Sequence, residues 1–258
     1  MSSPVAVAPD VHVFTSRVMA TTTTVIAHGD QALLVDPCWR GDELAAIADW
    51  LEAQNLRVVL GWSTHAHHDH VLWHPRFGSG PRLATPRAAA HAATHLRELR
   101  RALGPATQAD LRELAGELSP LEGTLLPWPG TAVEVLAHDA HSPGHGALWL
   151  PQHGVLIAGD MLSDIEIPLL QETGLAAYAD GLALLSPYVE RADVLVCGHG
   201  SVTRIGEADS PAARLAADRA YLAALADGGG NDPRLRAGPG WLREEHERNV
   251  RMAAVGGR

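Results

Sequence analysis

A mixed α/β domain is predicted by three observations. β-branched runs separated by Gly-Asp and Asp-Pro turns open the chain, an amphipathic helical segment then alternates with an apolar strand, and four strand ends or turns carry histidine or aspartate beside glycine or after an apolar run. In order, Val11–Phe14, Thr21–Ala27 and Gln31–Val35 read as a meander, with His28-Gly29-Asp30 as a turn. Asp36-Pro37 closes the third strand, because proline has no N–H to give to a ladder. From Gly41 to about Gln54, the residues Leu44, Ile47, Ala48 and Leu51 recur at helical spacing, with Asp42 as the expected N-cap. A strand from Arg57 to about Trp62 follows.

Leu83–Thr85 is a short strand and Pro86 suits a first helical position. The Ala-, Leu- and Arg-rich stretch Ala88–Leu103 is helical by propensity, Gly104-Pro105 ends it, and a second helix is expected over Gln108–Leu118. Together they form a helical insertion over about 86–118, which is either a lid or pocket wall or simply an outer helical pair. Strands are then expected at Thr131–Leu136, Ala147–Leu150 and Val155–Ala158, a helix at Ala179–Tyr188 and a strand at Val194–Val196. A C-terminal helical extension, about 207–258, comprises a helix from Ser210-Pro211 to about Leu225, a joint at Gly228-Gly229-Gly230 and an amphipathic helix over Trp241–Ala254. No repeat of fixed period occurs, and residues 1–258 are expected to form a single domain.

Composition excludes several functions. The chain has 20 basic and 30 acidic residues, and a net charge of -10 repels a nucleic-acid backbone. No apolar run reaches the roughly 20 residues that span a bilayer. Met1-Ser2-Ser3-Pro4 lacks the basic and apolar regions of a secretory signal, so the expected setting is the cytoplasm, with no membrane partner. Cys38 and Cys197 are the two cysteines and form neither a C-x-x-C motif nor a disulfide framework. The oligomeric state is not legible.

The chemistry concentrates in Thr64-His65-Ala66-His67-His68-Asp69-His70, directly after Val58-Val59-Leu60-Gly61-Trp62. Imidazole nitrogen and carboxylate oxygen suit zinc. In an extended segment alternate residues point the same way, so His65 and His67 can grip one ion while the following turn swings Asp69 and His70 toward a second. The competing reading is a solvated histidine-rich loop. Three later segments share the design: His141-Ser142-Pro143-Gly144-His145, Leu156-Ile157-Ala158-Gly159-Asp160 and Cys197-Gly198-His199-Gly200. Each is weak alone, and together they are strong.

On these residues, from about Thr21 to Gly200, the chain resembles the metallo-β-lactamase fold superfamily. The resemblance implies a four-layer αββα sandwich with a metal site where strand ends converge. It also implies that His65, His67 and His145 hold one metal, Asp69, His70 and His199 a second, and Asp160 bridges them. Asp36 would brace the site loops without binding metal, and His141 and His138 would support ligands from behind. The implied activity is that of a dinuclear zinc hydrolase, with iron or manganese as alternative metals. In it a water shared by two cations attacks a small ester-like substrate, with thioester or lactone ahead of β-lactam. Asp69 and Asp160 are its expected catalytic carboxylates, and Asp69 is the group that could pass a proton to the leaving group. No G-x-S-x-G elbow competes for the role of nucleophile.

The chain departs from the family pattern at Val71-Leu72-Trp73 and at Gly146-Ala147-Leu148, departures that bear on substrate class more than on metal binding. Trp73, His74, Met161, Ser163 and Tyr178 are the candidates to line the substrate pocket, and His68 is expected not to bind metal. The alternatives to a hydrolase are an oxidoreductase resembling the family's persulfide dioxygenases, with one iron on two histidines and an aspartate, and a non-catalytic metal-binding scaffold.

Overall fold

Alternating burial along the strands assigns their apolar residues to two opposite faces, and this alternation builds the layers. The computed structural model describes residues 3–105, 107–225 and 232–256. The expected joint at Gly228–Gly230 lies outside the described residues.

One sheet contains β1 (Val5–Ala8), β2 (Val11–Thr15), β3 (Thr22–His28), β4 (Gln31–Val35), β5 (Arg57–Trp62), β6 (Arg82–Ala84) and β7 (Ser119–Pro120), side by side in that order. β1 to β4 pair antiparallel, and β4 to β7 pair parallel. The other sheet contains β8 (Glu134–His138), β9 (His145–Leu150), β10 (Val155–Gly159), β11 (Val194–Cys197) and β12 (Thr203–Arg204), in the order β12-β11-β10-β9-β8. Only β10 and β11 pair parallel in this second sheet among the described residues.

Leu33 and Val35 of β4 face Leu148 and Leu150 of β9 and Val155 and Ile157 of β10 in one buried cluster between the sheets. The alternate residues Ala32 and Leu34 point outward, under Leu44, Ile47, Ala48 and Leu51 of α1 (Gly41–Ala53). Fully burying each such aliphatic side chain contributes about 1.5–3 kcal/mol relative to exposure. The helical face was therefore legible, but the cap differs. Arg40 occupies the N-cap position without a side-chain bond, and Asp42 in the first turn meets Arg17 at 2.5 Å instead.

The helical insertion comprises α2 (Pro86–Thr94), α3 (Leu96–Ala102) and α4 (Ala109–Leu114). The single helix expected over Ala88–Leu103 is divided at His95, whose Nδ1 lies 3.0 Å from the carbonyl of His91 while Thr94 Oγ1 donates to Ala90 at 2.9 Å. Side chains that bond to the preceding turn weaken the continuity of a helix. Ala92 and Leu99 of this insertion pack on Ala66, so it backs the histidine loop.

Outside the second sheet, α5 (Gly174–Val189), α6 (Pro211–Ala224), α7 (Pro233–Ala237) and α8 (Gly240–Gly256) complete the fourth layer. Leu182, Leu215, Leu235 and Leu242 of these helices join Ala147 and Trp149 of β9 in one cluster. The result is an αββα sandwich. The two sheets meet at strand ends beside the site, where Thr21 bridges His199 and the Thr22 N–H, at the start of β3, donates to the Gly198 carbonyl at 2.7 Å.

Candidate metal centre

The loop after β5 is fixed before any ligand is considered. Asp36, at the end of β4, accepts the Thr64 N–H on Oδ1 and the Thr64 hydroxyl on Oδ2, each at 2.7 Å. Ser63 Oγ donates to the His70 carbonyl at 2.8 Å and closes the loop. The imidazoles of His65, His67, His70 and His199 are each oriented by one ring nitrogen so that the other faces inward. The Thr64 hydroxyl proton is spent on Asp36, so its oxygen, 3.0 Å from His65 Nδ1, accepts from that ring. His70 Nδ1 lies 3.1 Å from Asp36 Oδ2, and His199 Nδ1 lies 3.1 Å from the Met19 carbonyl and 3.2 Å from Thr21 Oγ1. His67 donates Nε2–H to Glu172 Oε1 at 3.0 Å.

The free nitrogens converge in two adjoining groups. His65, His67, His141 and Asp160 form the first and Asp69, His70 and His199 the second; Asp160 and His199 also group with Glu166. Within each group the potential ligand atoms lie within 4.8 Å of one another. Asp160 spans the two groups. Its Oδ2 is 3.4 Å from His65 Nε2, 3.3 Å from His141 Nε2 and 3.4 Å from His199 Nε2, while Oδ1 is 3.2 Å from His70 Nε2. Asp69 Oδ2 is 3.1 Å from His199 Nε2.

This arrangement fits metal ions. Facing nitrogens at 3.3 Å, as between His70 Nε2 and His199 Nε2, and at 3.1 Å, as between His141 Nε2 and His67 Nδ1, need a proton or cation between them. His65 Nε2 and Asp160 Oδ1 are buried without a hydrogen-bond partner. Such atoms are costly unless something binds them. The titration behaviour agrees. Burial opposes charge on His70 and His199, yet the carboxylates of Asp160 and Asp69 outweigh it and hold both rings well above the ordinary imidazole range. Burial likewise opposes charge on Asp160, and the neighbouring histidines pull it well below the ordinary carboxylate range. His65 is pushed well down, chiefly by burial. The pocket therefore attracts positive charge and keeps His65 free to coordinate.

Two glycines permit the close approach. A Cβ on Gly198 would collide with Asp160 Oδ1, and one on Gly159, at φ +55°, would collide with His145 Nε2.

The structure differs from the sequence expectation at the Pro-Gly turn. His141 joins His65 and His67, whereas His145 begins β9 behind them, its ring stacked on His65 at 5.1 Å and on His138 at 4.6 Å. His145 Nε2 accepts the Asp160 N–H at 3.3 Å, which occupies its lone pair. In this arrangement it is a ring nitrogen of His141, not of His145, that lies among the potential ligand atoms of the first group. His68 stands apart from both groups, half-buried, with its ring 5.2 Å from Trp39.

Four pocket candidates lie elsewhere. Trp73 is buried in the outer core, filling the space over Gly61 and donating Nε1–H to the Gly78 carbonyl at 2.9 Å. His74 caps the short turn Pro75–Phe77, and Met161 and Tyr178 belong to the core beneath α5. Ser163 braces the site, its hydroxyl donating to the His199 carbonyl at 2.7 Å. Sequence reasoning missed Glu172 and Glu166. Neither sits in a motif, although Glu166 follows Asp160 by six residues in a turn-rich segment.

The sequence profile of the metallo-beta-lactamase superfamily matches residues 16–199. Among solved structures, a metallo-beta-lactamase family protein from Thermus thermophilus superposes with a TM-score of 0.65 at 21% identity, over 86% of this chain and 82% of that one. A beta-lactamase domain protein from Burkholderia ambifaria gives 0.67 at 20%, over 87% and 76%. The stereoselective inverting sec-alkylsulfatase Pisa1 from Pseudomonas sp. gives 0.64 at 20% over 88% of this chain, which spans only 42% of the sulfatase. These likenesses concern the fold. Since the family profile covers more than half of the sequence and includes both histidine groups, the chain belongs to the metallo-beta-lactamase superfamily.

Proposed function

We propose that the chain is a dinuclear zinc-dependent hydrolase of a small ester-like substrate, with thioester or lactone ahead of β-lactam. The observation that carries this reading is Asp160, one carboxylate within 3.4 Å of nitrogens from both histidine groups. A structural zinc site is closed by four ligands and has no use for a second, contiguous group of histidines. His65, His67 and His141 would hold one ion, Asp69, His70 and His199 the other, and Asp160 both. Two such ions would lower the pKa of a shared water and polarise a carbonyl.

The chain's own residues do the rest. Asp36 and the Met19 carbonyl hold one proton of His70 and of His199 on Nδ1, and Glu172 holds that of His67 on Nε2, so the inward nitrogens are the ones that would give up a proton to a metal ion. Burial opposes charge on Asp69, yet His70 and His199 keep it ionised, so it would first take the proton released by the attacking water and then pass it to the leaving group. The cysteines take no part, because burial pushes both thiols up to about 12. A small-molecule substrate accords with the net charge of -10 better than nucleic acid does. The test is a panel of thioesters, lactones, β-lactams, sulfate esters and phosphodiesters assayed with the wild type and with Asp160→Ala. Turnover of a thioester or lactone that disappears in the variant supports the reading. Undiminished turnover in a metal-free Asp160→Ala protein sinks it.

A further inference from the structure

Next to the second histidine group lies a cavity of about 310 Å³, at the small end of the range for ligand sites. It adjoins the site through Glu166, which lines the cavity and groups with Asp160 and His199, and through Met19, whose carbonyl lies 3.1 Å from His199 Nδ1. Met19, Ile165, Pro239 and Trp241 supply its apolar lining, the last two from the junction of α7 and α8.

The charged groups around it are already committed, or are of one sign. Among the described residues Arg234 is the cation in the wall, and its guanidinium is turned to Asp218 at 2.6 Å, Asp232 at 2.8 Å and the carbonyls of Ser163 and Glu166 at 3.1 and 2.8 Å. Asp164 accepts the Ser201 N–H at 2.9 Å. The Glu166 carboxylate makes no such bond among the described residues, although its backbone N–H and carbonyl are both engaged. An anionic ligand group would therefore meet carboxylates and a guanidinium whose charge is already balanced. An uncharged aliphatic group would meet Trp241 and Ile165.

We propose that this cavity seats the uncharged, apolar acyl group of the substrate, a short aliphatic chain whose scissile carbonyl lies at the histidine groups. The proposal rests on the hydrolase reading and narrows it, with the C-terminal helices as the specificity wall. Burial of each methylene is expected to raise kcat/KM about two- to fourfold until the cavity is filled.

The experiment has two arms. In the first, thioesters of one leaving group, from acetyl to octanoyl, are compared with analogues of equal length that end in a carboxylate, using the zinc-loaded wild type, Ile165→Ala and Trp241→Ala. Ile165 is 36% exposed, so its replacement spares the core and stands as the reference if Trp241→Ala does not fold. The expected result is a rate that climbs with chain length and then levels off, a loss of about tenfold or more with the terminal carboxylate, and a smaller hexanoyl-to-acetyl ratio in the variants. Rates independent of length, or faster hydrolysis of the carboxylate series, would overturn the proposal. In the second arm, saturation transfer from the protein to 1-hexanol is measured by NMR without any turnover. If no ester is hydrolysed, the hydrolase reading fails, and the cavity is judged on this arm alone. Contact that weakens in both variants supports it, and no contact in the wild type overturns it.

Discussion

His141 and His145 sit four residues apart on the two sides of one Pro-Gly turn, and it is His141 that groups with His65, His67 and Asp160. His141 points Nε2 at His67 and Asp160, while His145 spends Nε2 on the Asp160 N–H. Spacing gave no means of choosing, because the turn, with Gly144 at φ +74°, sets the directions of both side chains. His141→Ala is expected to drop the metal content by about one ion per chain, whereas His145→Ala should keep its metal and lose about 1–3 kcal/mol of stability through the unpaired amide. Metal analysis and thermal melts of the two variants separate these outcomes. Glu172 is a second residue that no motif announced. Burial disfavours its charge, but the hydrogen bond from His67 pulls it down to about 2, so it stays an anion behind that ring. Glu172→Gln keeps the shape and removes the charge, and a loss of about 10- to 100-fold in zinc affinity is predicted, read by competition with a chelating dye.

At the level of elements, the strand ends were legible because chemistry and pattern coincide there. The strand ending at Trp62 leads into the polar loop Ser63–His70, and Asp36, Gly159-Asp160 and Gly198-His199 each close an apolar strand with a polar group. The cavity beside the second histidine group was not legible, because its wall comes from Met19, Ile165 and the α7–α8 junction, segments far apart in sequence that only packing brings together. Trp73 misled for a related reason: beside a metal loop an aromatic suggests a pocket, yet the bare Gly61 gives it a place in the core. The insertion acts as a support. Leu99→Ala, which removes a buried contact under Ala66, should cost about 2–4 kcal/mol, detectable as a lower denaturation midpoint. The assembled strand ends also set the pH response. His70 and His199 are raised in the metal-free fold, so they hold protons that zinc must displace, and affinity falls as the pH is lowered. Competition titrations between about pH 7.5 and 5.5 should show a loss of about ten- to a hundredfold per unit. A flat profile would mean that these rings carry no proton in the free chain.

On the scale of the whole molecule, the two histidine groups draw on both sheets. His65 to His70 follow β5 of the first sheet, and Asp160 and His199 follow β10 and β11 of the second. Metal ions bound there would tie the sheets together at the edge where Thr22 and Gly198 already pair. The four-layer architecture was implied by the family resemblance that the motifs carry, whereas the division between inner and outer core became visible only through the register of β4, β9 and β10. Among the described residues no helix is long and apolar enough to cross a membrane. Chelation should lower the thermal midpoint, because an ion that binds only the folded chain stabilises it by about 2.7 kcal/mol at a hundredfold excess over Kd. Metal stoichiometry, measured by elemental analysis of protein purified without chelators, tests the two-metal centre most directly. About two zinc ions per chain are expected, and a single iron, or no metal at all, would contradict that centre.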